Sequence, residues 1–500
     1  MNQNSLKQVP TYNPMLKESI NRFLSQYRKG ATDFTDFTSI FSRMLNTFPD
    51  PPIQIIWFYS ALEFHTIKLA DTSAPSRRVA VAKDLFQLLV SCSDSCGPVK
   101  RIAVLAPLVF ELYQLGFHEK EMKSEVEGLL ERVISYCSIL CGEALRCEDG
   151  MEVLEADLVD LIEVWMVGEQ FFRAEDCVRG FFPFASEEFR KGVRVGCEIG
   201  LFAGVVMCEV LLLKMCLNFE FGITKVEVEK KLHGSAVQTI SGFRNFYFLD
   251  ALFRMMLEPV LPVISLLGSE NEVFLKDVLY NAVMMIEHSC INPQAGVSLY
   301  ANSLKDLAVT WLFVADSAIQ SAREKGDHGK ALSYVNAFSI SCVPIQLINW
   351  VTQSGLGRKI CRPNVSTPIA LINWLLHVED QGLAKHRANA NFFASRTDCM
   401  LPAIKHFVNS LDKNCFSDST HGETQADKLD GDIEMVDSVD PVSFAAGSRV
   451  RTTSIDGTRK RKEVIEDETK TQLKFMRCQF HENPIFCASK LEALSPCLLA

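Results

Sequence analysis

Signatures of common catalytic machinery are missing from this 500-residue chain. It has no Gly-x-Ser-x-Gly elbow, no His-Glu-x-x-His pair to hold zinc on one helix face, and no Walker lysine loop. The run GLGRK, from Gly355 to Lys359, resembles a phosphate nest but lacks a third glycine and a strand-then-helix setting. We therefore expect no enzyme of these familiar kinds and no cofactor. Positive charge is also short: 51 Lys and Arg face 61 Asp and Glu, giving a net charge of −10 and a pI near 5.6. That balance disfavours broad electrostatic binding to nucleic acid or to an anionic membrane. The most lipid-like run, Ile199 to Cys208 (IGLFAGVVMC), is bounded or interrupted by Glu198, Glu209 and Lys214. It falls short of the ~20 apolar residues that span a bilayer, so a buried helix is expected. The N-terminal segment has no apolar stretch behind a basic start, so neither a signal peptide nor membrane association is expected, and we read the protein as soluble. Asn-Gly hairpin signals between alternating strands are absent too, which argues against a sheet-based fold.

What the chain has in abundance is helical period. In Met122–Cys141 the apolar residues Met122, Val126, Leu129, Leu130, Val133, Ile134, Cys137, Leu140 and Cys141 recur largely three and four apart. Asp33 or its neighbours can start a helix that buries Phe34, Phe37, Phe41, Met44 and Leu45, and the run Pro49, Asp50, Pro51, Pro52 stops it. Ser269 with Glu272 forms a capping-box pattern, and Ser186 ahead of Glu187 and Glu188 predicts the start of a long apolar helix reaching Leu217. Segments such as Ile53–Leu69 and Ile102–Leu115 are apolar on more than one face, as expected for helices sandwiched between neighbours. Pro344–Trp350 (PIQLINW) and Pro368–Trp374 (PIALINW) agree at six of seven positions. Pro in the first turn, with Thr367 as cap in the second copy, predicts a helix for each, presenting a shared Leu, Ile and Trp edge. Coincidence is the other reading of this pair.

Seventeen cysteines are scattered along the chain. An odd total suits a fully paired disulfide set poorly. Cys137, Cys141, Cys197, Cys208 and Cys216 fall on apparent core faces, so we expect reduced thiols packing as small hydrophobes.

At this length one core is not expected to suffice. We expect an all-α fold over residues 1–412: a stacked helical array, armadillo/HEAT-like by pattern alone, with two sub-units as one arrangement. Residues 413–470 read as a disordered acidic linker carrying a basic cluster, because eight acids against one Lys between Ser417 and Ser448 cannot bury enough apolar surface to offset backbone entropy. Residues 471–500 regain Leu, Phe and Ile and read as a short amphipathic segment.

The basic cluster is Arg459, Lys460, Arg461 and Lys462. Such a run on a flexible segment suits the acidic grooves of nuclear import receptors, so nuclear localisation is expected, with the cytoplasm as a second compartment. Ser454, three residues after Arg451, is a candidate phosphosite whose phosphate would weaken the reading of these cations. Cys478, His481, Cys487 and Cys497 offer zinc-type ligands, but their spacing matches no common ligand set, and no metal is expected. Lys359, Arg362, Lys385, Arg387 and Arg396 form a basic patch diluted by Glu379, Asp380 and Asp398, a weak basis for direct nucleic-acid contact. The reading is a non-enzymatic nuclear scaffold or adaptor that binds proteins through a helical surface. A non-catalytic subunit of a nuclear nucleic-acid-processing or chromatin complex, and a divergent enzyme with an unrecognised site, are the alternatives.

Overall fold

The computed structural model describes residues 12–70, 75–118, 122–144, 152–154, 158–168, 174–219, 224–287, 301–353 and 366–383. The chain divides into two units, Met1–Ser419 and Thr420–Ala500, and every described residue belongs to the first. These residues are predominantly helical, so the fold class is all-α.

The first unit opens with α1 (Asn13–Arg28), α2 (Thr35–Thr47), α3 (Ile53–Ala70) and α4 (Pro75–Cys92). Pro14 sits in the first turn of α1, where a missing amide leaves no intrahelical bond unmade. The Asp33 carboxylate accepts the Thr35 amide at 3.0 Å at the start of α2. Beyond it Phe34, Phe37 and Phe41 are buried, while Met44 and Leu45 are half-buried. Then come α5 (Pro98–Ala103), α6 (Ala106–His118) and α7 (Lys123–Ala144). The α7 face anticipated from the period is the one buried: Val126, Leu129, Leu130, Val133, Ile134, Cys137, Leu140 and Cys141. The chain next doubles back through β1 (Val153–Leu154), α8 (Leu158–Trp165), α9 (Ala174–Phe181) and α10 (Glu187–Val195), with α8 packed on α1 and α3.

Ser186 caps α10 as expected, accepting the Phe189 amide at 3.1 Å. The helix does not run on to Leu217, however. Gly196 adopts φ +112°, a conformation L side chains rarely take, and β2 (Cys197–Glu198) leaves the helix to pair antiparallel with β1, Leu154 opposite Cys197. Only then does α11 (Ile199–Leu217) begin. By length and composition α11 could cross a membrane, yet every residue of it but Leu201 is buried, against α5, α6, α7 and two later helices, α12 (Lys225–Gly242) and α13 (Phe246–Leu257).

The remaining elements are α14 (Ile264–Leu267), α15 (Ser269–Met285), α16 (Ala301–Glu324), α17 (His328–Ile340), α18 (Val343–Gln353) and α19 (Pro368–Leu383). The expected Ser269–Glu272 capping box does not form. Gly268, at φ +74°, occupies the cap position, so Ser269 already belongs to the helix. Glu272 turns inward instead and accepts the Leu261 amide at 2.7 Å. The duplicated heptapeptide does form two helices, α18 and α19, both on α16. Thr367 accepts the Ala370 amide at 3.4 Å, and Leu347 and Ile348 are buried like their counterparts Leu371 and Ile372.

Neighbour relations from α5 onward run in two successions. In one, α5 packs on α11, α11 on α13, α13 on α16 and α16 on α19. In the other, α7 packs on α12, α12 on α15 and α15 on α17. Contacts of α5 with α7, α11 with α7 and α12, and α16 with α15 and α17 tie the two rows together. The rows differ in what they bury. Among the described side chains, no large apolar residue of the first row is exposed, whereas the second row exposes Ile139, Val226, Val273, Met285, Leu332 and Ile340.

Candidate functional site

The described surface holds a shallow, open groove of about 590 Å³ where α7, α11 and α12 meet. Its long wall is a single stripe of α12: Glu227, Lys230, Lys231, Gly234, Ser235 and Gln238. These positions are spaced three and four apart, one face of a helix about 16 Å long at ~1.5 Å per residue. Glu131 of α7 and Lys214 and Asn218 of α11 complete the lining.

The start of α12 is fixed by its own residues. Thr224 caps the helix by accepting the Glu227 amide at 3.4 Å, and its hydroxyl donates to Glu227 Oε2 at 2.7 Å. On the floor, Lys214 is almost wholly buried, yet its ammonium reaches Glu131 Oε1 at 2.8 Å and Thr239 Oγ1 at 3.5 Å. Glu131 is half-exposed, so water reaches one partner of this pair and the desolvation cost falls mainly on the Lys214 ammonium. The Asn218 amide donates to the Lys214 carbonyl at 3.0 Å and closes the end of α11. Gly234 leaves the middle of the stripe without a side chain, and a Cβ there would meet nothing within 4 Å. The Ser235 hydroxyl oxygen is buried with no hydrogen-bond partner. Lys230 and Lys231 are exposed at the rim.

Other buried ionisable groups serve the fold. Glu209 of α11 accepts the Phe184 amide at 2.9 Å, and burial pushes its carboxyl up to about 8 despite that amide and the nearby Arg190. The Lys100 ammonium ties Asp50 at 3.0 Å and Glu152 at 3.6 Å. His65 sits among Phe23, Tyr27, Phe64 and Trp165, with Nε2 2.9 Å from the Val164 carbonyl. Burial lowers its pKa to about 4; the carbonyl contact opposes this and Lys68 adds to it.

All the described cysteines are free thiols. Burial holds Cys141 and Cys197 up at about 12 and Cys137, Cys208 and Cys216 well above the usual thiol range, so none is poised as a nucleophile. Cys141 lies 3.5 Å from the Met207 sulfur, the core packing expected of it. Among the described residues no three His, Cys, Asp or Glu side chains gather as a metal site.

The residues singled out in the sequence fall elsewhere. Arg459–Lys462, Ser454, Lys359, Arg362, Lys385, Arg387, Arg396, and the Cys478, His481, Cys487 and Cys497 set all lie outside the described residues. The groove was missed because its charges come from three helices. One signal was available: KVEVEKKLHGSAVQ carries a polar stripe at helical spacing opposite Val228, Leu232 and Ala236, which are buried. No family model, no curated protein and no solved structure matches this chain.

Proposed function

We propose that the protein is a non-enzymatic adaptor that acts in the nucleus, with a stacked helical array, armadillo/HEAT-like by sequence pattern, as the binding platform. The observation that carries the reading is the contrast between the rows. Among the described side chains one row exposes no large apolar residue, and the other, α7–α12–α15–α17, exposes six of them and a polar groove. Exposed apolar residues on stacked helices suit the burial of partner surface. The nuclear part of the reading rests on the Arg459–Lys462 run.

Both parts are tested together in cells. A fluorescent fusion of the full chain accumulates in the nucleus, and replacing Arg459, Lys460, Arg461 and Lys462 by Ala shifts it to the cytoplasm. The tagged chain co-purifies with defined protein partners in stoichiometric amounts. A fusion whose distribution ignores the four cations removes the address; a chain that purifies alone removes the adaptor.

A further inference from the structure

We infer that Thr32, on the turn between α1 and α2, is a phosphorylation site for a basophilic Ser/Thr protein kinase, a property independent of the adaptor reading. Four Ser or Thr hydroxyls among the described residues have a cation three residues before them: Ser25 after Arg22, Thr32 after Lys29, Ser135 after Arg132 and Ser333 after Lys330. All four residues are exposed, so accessibility does not separate them. The backbone does. Ser25, Ser135 and Ser333 lie inside α1, α7 and α17, and the Ser135 hydroxyl donates to the Glu131 carbonyl at 2.8 Å. A kinase takes its acceptor segment extended in a cleft, so each of those three requires local unfolding of its helix first. Of the four, only Thr32 lies outside a helix.

The turn presents it. At the end of α1, Gly30, at φ +83°, donates its amide to the Tyr27 carbonyl at 2.9 Å, and Ala31 donates to the Gln26 carbonyl at 3.1 Å. This Schellman pair takes the chain out of the helix ahead of the acceptor, and Arg28, Lys29, Gly30, Thr32 and Asp33 are all exposed. Arg28 and Lys29 stand four and three residues before Thr32, where the acidic subsites of a basophilic kinase attract charge. Transfer moves the γ-phosphoryl group of ATP onto Thr32 Oγ1. The bond from that phosphorus to the ADP leaving oxygen breaks, the bond to Oγ1 forms, and the hydroxyl proton passes to the catalytic Asp of the kinase. The phosphate adds a charge of about −1.5 to −2 to a corner where Arg28 and Lys29 balance Asp33 and Asp36, turning it from neutral to acidic. The bonds that hold the turn do not use the Thr32 hydroxyl: they are the two Schellman amides and the Asp33 carboxylate on the Thr35 amide at 3.0 Å. The mark therefore changes surface charge and leaves the fold in place.

The experiment incubates the folded full chain with ATP, Mg²⁺ and either the catalytic fragment of protein kinase C or the catalytic subunit of cyclic-AMP-dependent protein kinase. Mass spectrometry reads the occupancy of each site, and a synthetic peptide of residues 25–36 is the extended reference. Thr32 is phosphorylated in both chain and peptide, and in the chain its occupancy exceeds that of Ser25, Ser135 and Ser333 at least tenfold. Arg28→Glu with Lys29→Glu lowers the occupancy at least tenfold, Lys29→Gln alone lowers it severalfold, and Thr32→Ser retains it. Circular dichroism matching the unaltered chain shows that the variants fold. The proposal is overturned if neither kinase labels Thr32 in the folded chain, whether or not the peptide is labelled. Labelling indifferent to Arg28 and Lys29, or equally strong on the three helical serines, overturns it too. Phosphorylation leaves the melting temperature unchanged; a fall that Thr32→Ala abolishes contradicts a mark that spares the fold.

Discussion

His65 and Glu209 are both buried ionisable groups kept neutral, and they tilt stability in opposite directions with pH. The folded-state pKa of His65 is lowered, so its contribution is complete above the unfolded value near 6.5 and is lost as pH falls toward about 4. Each pH unit in that window costs on the order of 1 kcal/mol. Thermal unfolding of the unaltered chain therefore steepens in its pH dependence below 6.5, and His65→Leu flattens that segment of the curve while lowering stability at pH 7. Glu209 is raised, so the neutral acid of the folded state loses ground as pH climbs from about 4.5 to about 8. Glu209→Gln keeps an acceptor for the Phe184 amide and removes this slope, so its stability relative to the unaltered chain rises by on the order of 1 kcal/mol per pH unit from about pH 4.5 to 7. Glu209→Ala strands the amide and opens a cavity, costing about 3 kcal/mol. Denaturant titrations at pH 5, 7 and 8.5 separate these outcomes.

Close approach between helices sets the next scale. A Cβ on Gly204 of α11 would lie 2.3 Å from the Tyr247 carbonyl oxygen of α13, and one on Gly200 would meet the Tyr247 ring at 2.2 Å. Backbone cannot yield as a side chain can, so Gly204→Ala destabilises by about 2 kcal/mol or more despite alanine's better helix propensity. Gly234→Ala, on open α12, stabilises by about 0.5–1 kcal/mol. Melting temperatures of the two variants should move in opposite directions. Neither glycine's role was readable in the sequence, because it depends on which helix arrives opposite. What periodicity did reveal was the inner face of α7, the start of α10 at Ser186, the cap at Thr367 and the burial of IGLFAGVVMC. It missed the break at Gly196, where a two-residue ribbon interrupts apolar sequence with no change of pattern. It also misjudged Glu272, whose capping spacing is real but whose carboxylate is claimed by a loop eleven residues upstream.

At the scale of the molecule, local patterning announced helices but not their order in space. The two successions emerge from pairings such as α5 with α11 and α12 with α15, which no local spacing encodes. The groove shares that origin: Glu131, Lys214 and Lys230 are far apart in sequence and meet only when α7, α11 and α12 assemble. The duplicated PIQLINW and PIALINW helices show the link in the other direction, since like sequences bury like residues on the same partner, α16.

An adaptor working through such a surface should seldom be found by itself. Native mass spectrometry of the full chain isolated gently from cells tests this most directly. The account predicts a species heavier than the 56.1 kDa of the single chain, containing it and at least one different protein in fixed ratio. A lone 56.1 kDa species, recovered under conditions that preserve known complexes in the same extract, would contradict it.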